Sequence, residues 1–238
     1  MAKNTAHEEA VAVFEQKAGV SFKDHALLTT AFTHRSYLNE SHPGIREHNE
    51  RLEFLGDAVL ELSVTDHLFR TYPGHAEGDL TSYRAALVNA VILGNIAEEL
   101  GMNECMLLSR GEARDTGRAR ATILANAFEA VVGALYLDQG YDAANAFILK
   151  HVTPHMKEVL AKGAYRDAKS AFQELAQAKY GLTPRYETLR AEGPDHDKRF
   201  VVAVYVGDVE VAEGEGKSKQ EAEQAAAEKA LAQEKTDA

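Results

Sequence analysis

The chain has 238 residues, 45% of them apolar, a length that suits two modest domains, each with its own buried core. A net charge of −11 and a pI near 5.4 argue at first against a nucleic-acid partner, but phosphate affinity follows local cations rather than their sum, so the placement of the acids decides. One cysteine, Cys105, and a polar, acidic stretch from Met1 to Ala10 point to a reducing cytoplasm; no run approaches the roughly 18 uninterrupted apolar residues of a membrane span, so no membrane partner is expected.

From Glu8 to Leu160 apolar residues recur at spacings of three and four, which predicts an all-α half. Stops are legible at Pro73-Gly74, Gly101 and Gly140, and the polar stretch Arg110 to Arg120 reads as a mobile surface loop. A helix carrying Pro154 leads into a short linker over Lys162 to Arg166. From Asp167 the pattern changes. A helix capped by Asp167 runs to Gly181, strand signals cover Arg185 to Glu192, Arg199 to Val206 and Glu210 to Gly214, and a final helix follows from Ser218. The fold class is therefore an N-terminal all-α domain plus a C-terminal α+β unit of α-β-β-β-α order.

The segment His48 to Leu60 carries the chemistry. On a helix, Glu50, Glu53 and Asp57 fall within about 60° of one another, while Leu52, Leu55, Val59 and Leu62 form an opposed stripe expected to face the core. Like charges so spaced repel by a few tenths of a kcal/mol per pair. A hard divalent cation with oxygen ligands would relieve the repulsion, and so would a fully solvated face; the spacing alone admits both. Gly56 in mid-helix costs about 1 kcal/mol against alanine, which suggests tight packing. Phe54 borders the acids and is expected to enter a pocket of a partner or of a neighbouring helix. A second helix, Ile123 to Leu137, is apolar nearly all round except for Asn126 and Glu129. A glutamate buried there needs a cation or a strong hydrogen-bond donor: a metal shared with Glu53 and Asp57, or an arginine such as Arg51. Cys105 has no activating partner, and the scattered histidines show no zinc spacing; His34 and His48 read as structural or close to the substrate.

In the C-terminal unit, Ser218 and Glu221 form a capping box, with Lys217 and Lys219 beside the partial positive charge of the helix start. Ala222, Ala225, Ala226, Ala230 and Leu231 make the face that lies on the sheet.

The run ERLEFLGDAVL from Glu50 to Leu60 resembles the signature of the ribonuclease III family, supported by Thr33-His34-Arg35-Ser36-Tyr37, Glu77-Gly78 and Ile123 to Gly140. The region from Asp167 to about Ala232, with Gly193-Pro194-Asp195-His196, resembles a double-stranded RNA-binding domain. The resemblance implies a nuclease domain over residues 6–160, a linker over 161–166 and an RNA-binding domain over 167–236. It implies a Mg²⁺ site, with Mn²⁺ as a substitute, made by Glu53, Asp57, Asn126 and Glu129; Asp57, Glu129 and Glu50 act in catalysis and Glu77 is a further acid near the scissile phosphate. Asn126 stands where the family most often has aspartate, so metal affinity should fall. RNA contacts fall to Gln173, Glu174 and His196 for 2′-hydroxyls and to Lys217, Lys219 and Gln220 for phosphates, with Glu215 a nearby opposing charge. The implied protein is a cytoplasmic homodimer with Phe54 at its interface. It hydrolyses double-stranded RNA to 5′-phosphate and 3′-hydroxyl ends with short 3′ overhangs, and processes ribosomal RNA precursors and other structured transcripts. A non-cleaving scaffold that binds duplex RNA is the alternative.

Overall fold

The computed structural model describes residues 2–39, 47–114, 117–162, 168–193 and 198–236. It falls into two compact units, Met1–Tyr165 and Arg166–Ala238.

The first unit is helical throughout: α1 (Ala2–Ala18), α2 (His25–Ala31), α3 (Glu50–Thr71), α4 (Glu77–Leu87), α5 (Ala90–Glu99), α6 (Met102–Cys105), α7 (Arg118–Gln139), α8 (Tyr141–Val152) and α9 (Met156–Lys162), with short 3₁₀ turns at Arg35–Asn39, Glu112–Arg114 and Thr153–His155. Pro154 sits in the last of these turns, at a helix start where its missing N–H costs nothing. Helix α7 begins at Arg118, earlier than its apolar pattern suggested, and takes in the end of the stretch read as a loop. Arg120 is held there by its Nε, which donates to Asn103 Oδ1 at 2.7 Å. Among the described residues α7 is the one helix long and apolar enough to cross a membrane, yet 61% of that window is buried inside the fold, as befits a central core helix.

The frame of this unit is the crossing of α3 and α7. A side chain normally holds packed helices about 8–10 Å apart. Here a Cβ on Gly56 would lie 1.8 Å from the Glu129 carbonyl oxygen, and one on Gly133 would lie 2.2 Å from the Leu52 carbonyl oxygen, so backbone meets backbone. Gly56 is thus explained by close approach. Around this contact pack Leu52, Val59, Leu60 and Val64 from α3 with Leu124, Phe128, Val131 and Leu135 from α7. Phe128 stacks on Phe147 of α8, and Phe14 of α1 meets Phe32 edge-on at 5.2 Å. The inward face of α3 differs from the sequence reading at one position: Leu62 is 57% exposed, and Leu60, Ser63 and Val64 turn inward in its place. Ser63 Oγ donates to Asn145 Oδ1 at 2.6 Å, which satisfies a hydroxyl that would otherwise be buried alone.

The second unit consists of α10 (Ala168–Tyr180), an antiparallel sheet β1 (Arg185–Glu192), β2 (Arg199–Val206) and β3 (Val209–Gly216) in the order β1-β2-β3, and α11 (Lys219–Thr236). Asp167 lies outside the described residues. Val206 pairs with Val209 across a two-residue Gly207-Asp208 turn, in which Gly207 takes φ +62. β3 is longer at both ends than its apolar residues suggested, because ladder hydrogen bonds carry it through Glu215 and Gly216. Phe172, Ala176, Val204 and Ala212 form the core with Ala226, Ala227 and Ala230 of α11. A Cβ on Gly214 would fall 2.1 Å from the Ala226 nitrogen, so the small residues let α11 lie directly on the sheet.

Gly56→Ala adds a methyl where only a backbone carbonyl could yield. The variant should lose about 3 kcal/mol, at the upper end of overpacking costs, despite the ~1 kcal/mol that alanine gains in helix propensity. Urea denaturation checks this through the midpoint at unchanged m-value; equal or greater stability would contradict the close approach.

Candidate active site and RNA-binding face

The N-terminus of α3 is fixed before any acid appears on it. Asn49 is buried at 2% exposure; its backbone N–H donates to Thr33 O at 2.9 Å and its Nδ2 to Ala31 O at 3.3 Å, while its own carbonyl accepts from Glu53 N at 2.8 Å. The segment it grips is itself anchored. Leu107 N donates to Phe32 O and His34 N to Leu107 O, and Ser36 Oγ accepts from Ser109 N at 3.1 Å and pairs with His34 Nδ1 at 2.8 Å. Burial holds the His34 ring below the usual histidine range. The sequence reading gave Asn49 no role; an Asn just ahead of an amphipathic helix is a capping signal, but here the side chain ties elements together instead of capping.

From this anchor α3 presents Glu50, Glu53 and Asp57, and α7 presents Asn126 and Glu129 across the glycine crossing. Asn126 and Glu53 share a side-chain hydrogen bond, in which the amide N–H donates because an ionised carboxylate only accepts. Burial and then the charges of Asp57 and Glu53 push the Glu129 carboxyl up to about 7. Glu53 is also raised, by burial first, then by Glu50 and Asp57, against the lowering effect of Asn126. Arg51 is exposed, and no ion pair joins it to Glu129 among the described residues, so the arginine alternative for Glu129 does not hold in this structure.

Glu50 lies at the exposed edge of the cluster, 3.4 Å from Arg35 Nη1 and 3.9 Å from His48 Nδ1. Glu77, in the first turn of α4, is exposed and accepts from Thr81 of its own helix at 2.9 Å; no contact joins it to the other acids. Cys105 is fully buried, with a thiol pushed up to about 12 by burial, which leaves it unreactive. Phe54 is 81% exposed and enters no pocket of its own unit; Leu62 and Phe69, at 57% and 70%, are exposed on the same helix.

The donor set suits a hard divalent ion. Three carboxylates and an amide approach one region from two helices, and the acid among them that burial penalises most has no cationic side chain paired with it among the described residues. Among the described residues no group of three acidic, histidine or cysteine side chains stands close enough together to hold a metal ion; Mg²⁺ is commonly held by one or two carboxylates, with waters and substrate oxygens as its other ligands.

On the second unit, Gln173 and Glu174 are exposed on α10, and Lys217, Lys219 and Gln220 are exposed where β3 passes into α11. Glu221 N donates to Ser218 Oγ at 3.1 Å, and Glu221 Oε2 accepts from Lys217 N at 2.8 Å, so the reciprocal box holds Lys217 and Lys219 at the positive end of the helix. Ala227 is buried on the sheet side of α11, whereas Ala225 and Leu231 are only half-buried. His196 lies outside the described residues.

A nuclease whose acids span two crossed helices, followed by a module that reads duplex RNA, is the class these two units define, and comparison with known proteins agrees. Residues 24–156 match the Ribonuclease-III-like family and residues 168–234 the double-stranded RNA binding motif. Ribonuclease 3 of Pelotomaculum thermopropionicum is 45% identical over 94% of this chain and 93% of its own length, and Ribonuclease 3 of Bacillus cereus is 46% identical over 95% and 92%. The nuclease domain of ribonuclease III from Campylobacter jejuni, described for structural flexibility in its region of dimer formation, is 39% identical, with a TM-score of 0.54 over 60% of this chain and 95% of that one. The chain belongs to the ribonuclease III family, the double-strand-specific, divalent-metal-dependent endoribonucleases.

The Glu129 shift has a consequence for the metal-free protein. The folded state holds the Glu129 proton up to about pH 7, whereas the unfolded chain releases it near pH 4.5, so this group's contribution to stability falls as pH rises through that window and levels off above it. Glu129→Gln should therefore stabilise the chelator-treated protein at pH 8 by about 1–3 kcal/mol, after allowance for partial solvation, and the gain should vanish toward pH 4.5. Urea titrations at the two pH values check it; a pH-independent difference would refute the shift.

Proposed function

We propose that the protein hydrolyses phosphodiester bonds in both strands of double-stranded RNA, leaving 5′-phosphate and 3′-hydroxyl ends with short 3′ overhangs. We assign the nuclease domain to residues 6–160, the linker to 161–166 and the RNA-binding domain to 167–236. The reading is carried by one observation: Glu129 on α7 stands across the glycine crossing from Glu53 and Asp57, with no cationic side chain paired with it among the described residues, and is raised to about 7. In it, Glu53, Asp57, Glu129 and the carbonyl oxygen of Asn126 hold Mg²⁺, for which Mn²⁺ substitutes. The bound ion supplies an acidified water and offsets charge on the phosphate oxygens.

The side chains prepare that chemistry. Glu129 must surrender its proton to become a ligand, which ties metal loading to the neutral pH range. Asn126 holds the Glu53 carboxylate in place from the facing helix, and Glu50, at the solvent edge, faces the approaching strand. Glu77 serves as a further acid near the scissile phosphate. Gln173, Glu174 and His196 meet 2′-hydroxyls, and Lys217, Lys219 and Gln220 meet phosphates, in the manner of shape-reading domains. The protein works in the cytoplasm on ribosomal RNA precursors and other structured transcripts. It works as a homodimer joined through the α3 face on which Phe54, Leu62 and Phe69 stand exposed, an arrangement supported by the dimer formation described for the Campylobacter jejuni nuclease domain.

A long RNA duplex incubated with the protein should be cut to short duplexes in Mg²⁺ or Mn²⁺ and remain intact in Ca²⁺ or chelator. Duplex that is bound but uncut in both active metals would leave a scaffold protein instead. Asn126→Asp should lower the Mg²⁺ concentration for half-maximal cleavage about tenfold, the equivalent of roughly 1.4 kcal/mol from one added charge; an unchanged requirement would remove Asn126 from the metal site. Phe54→Ala should shift sedimentation velocity profiles toward monomer, and an unaltered profile would place the interface elsewhere.

A further inference from the structure

A duplex that brings its phosphates to Glu50, Glu53, Asp57 and Glu129 meets strong repulsion, so a cation at the edge of the cluster matters for the reaction. Arg35 meets that need. It opens the 3₁₀ turn Arg35–Asn39, and both of its neighbours are tied down: His34 through its backbone to Leu107 and through its ring to Ser36, and Ser36 through its hydroxyl to Ser109 N. The backbone at Arg35 is therefore fixed relative to the start of α3, while the guanidinium itself is 70% exposed. Its single partner among the described residues is Glu50, met through one nitrogen at 3.4 Å, a long and solvated contact that leaves most of the N–H fork open to water. Among the described residues the other charges nearby are His48, also on Glu50, and Glu112, which faces His34.

We infer that Arg35 is a phosphate-binding residue of the nuclease domain, which exchanges its weak contact with Glu50 for a two-pronged contact with an RNA phosphate next to the scissile bond. A guanidinium offers paired donors that match phosphate oxygens, and a loosely held pair is readily exchanged. The exchange also leaves Glu50 free toward the reacting strand. The inference rests on the cleavage reading only for the identity of the RNA; its test reads binding alone.

Full-length protein and its Arg35→Gln and Arg35→Lys variants are bound to one defined RNA duplex in Ca²⁺, with single uncharged methylphosphonates walked along each strand. Wild type should lose about tenfold in affinity when the contacted phosphate is neutralised. Arg35→Gln should bind about tenfold more weakly to the unmodified duplex, lose nothing further at that one position, and show a salt slope reduced by about one. Arg35→Lys keeps the charge without the fork and should fall between. A structural role through Glu50 predicts instead that the variant loses the same factor at every methylphosphonate position, and that outcome, or wild-type binding by Arg35→Gln, overturns the inference. Should Arg35→Gln melt early, the same comparison with Arg35→Lys decides. An intact binding pattern with RNA uncut in Mg²⁺ would sink the hydrolysis reading alone.

Discussion

The contact of two helix backbones at Gly56 and Gly133 is the constraint from which the site follows. Glu53 and Asp57 flank Gly56, and Asn126 and Glu129 sit two turns and one turn before Gly133, so a crossing set by two missing side chains brings the polar groups of both helices to one place. With any larger residue at the contact, the helices would separate and the acids would each find water. The carbonyl against which a Gly56 Cβ would press belongs to Glu129 itself, so the packing that brings the helices together also fixes where that carboxylate begins.

That placement works against stability and in favour of function. Half-buried like charges raise one another's proton affinity, and among the described residues no cationic side chain settles Glu129. A fold selected only for stability would carry leucine or a salt bridge there. On the proposed reading the unresolved charge is a measure of what the site is prepared to bind, and a proton on Glu129 holds the place of that cation at low pH. The same logic reconciles an acidic chain with an RNA partner. On the proposed reading Glu53, Asp57 and Glu129 are gathered to hold an ion, and exposed Lys217 and Lys219 are set by the Ser218–Glu221 box at a helix end that adds its own positive potential.

Much of this was legible in the sequence because it is periodic or local. The three-and-four spacing gave α3 and α7, the 100° advance per residue put Glu50, Glu53 and Asp57 on one stripe, and Gly56 signalled a close neighbour without naming it. What escaped depends on tertiary partners. Leu62 fits the core stripe by period but lies on the outer side of a 22-residue helix covered over only part of its circumference. Asn49 drew no reading in the sequence, and it is buried as a tie between segments 18 residues apart. The start of α7 was hidden because its first turn is polar, and polarity alone does not separate a loop from the exposed end of a helix.

The segment that ties these features together supplies none of the proposed metal ligands. Thr33, His34 and Ser36 form a knot with Leu107 and Ser109, seventy residues further along, and Asn49 locks the start of α3 onto it. A helix end held only by its own turn frays, and fraying at Glu50 and Glu53 would blur the positions of both acids. With the end held by buried hydrogen bonds, the first-turn carboxylates acquire the rigidity of the core although they stand at its edge, which is what a site needs when its ligands approach from two helices and its substrate from solvent.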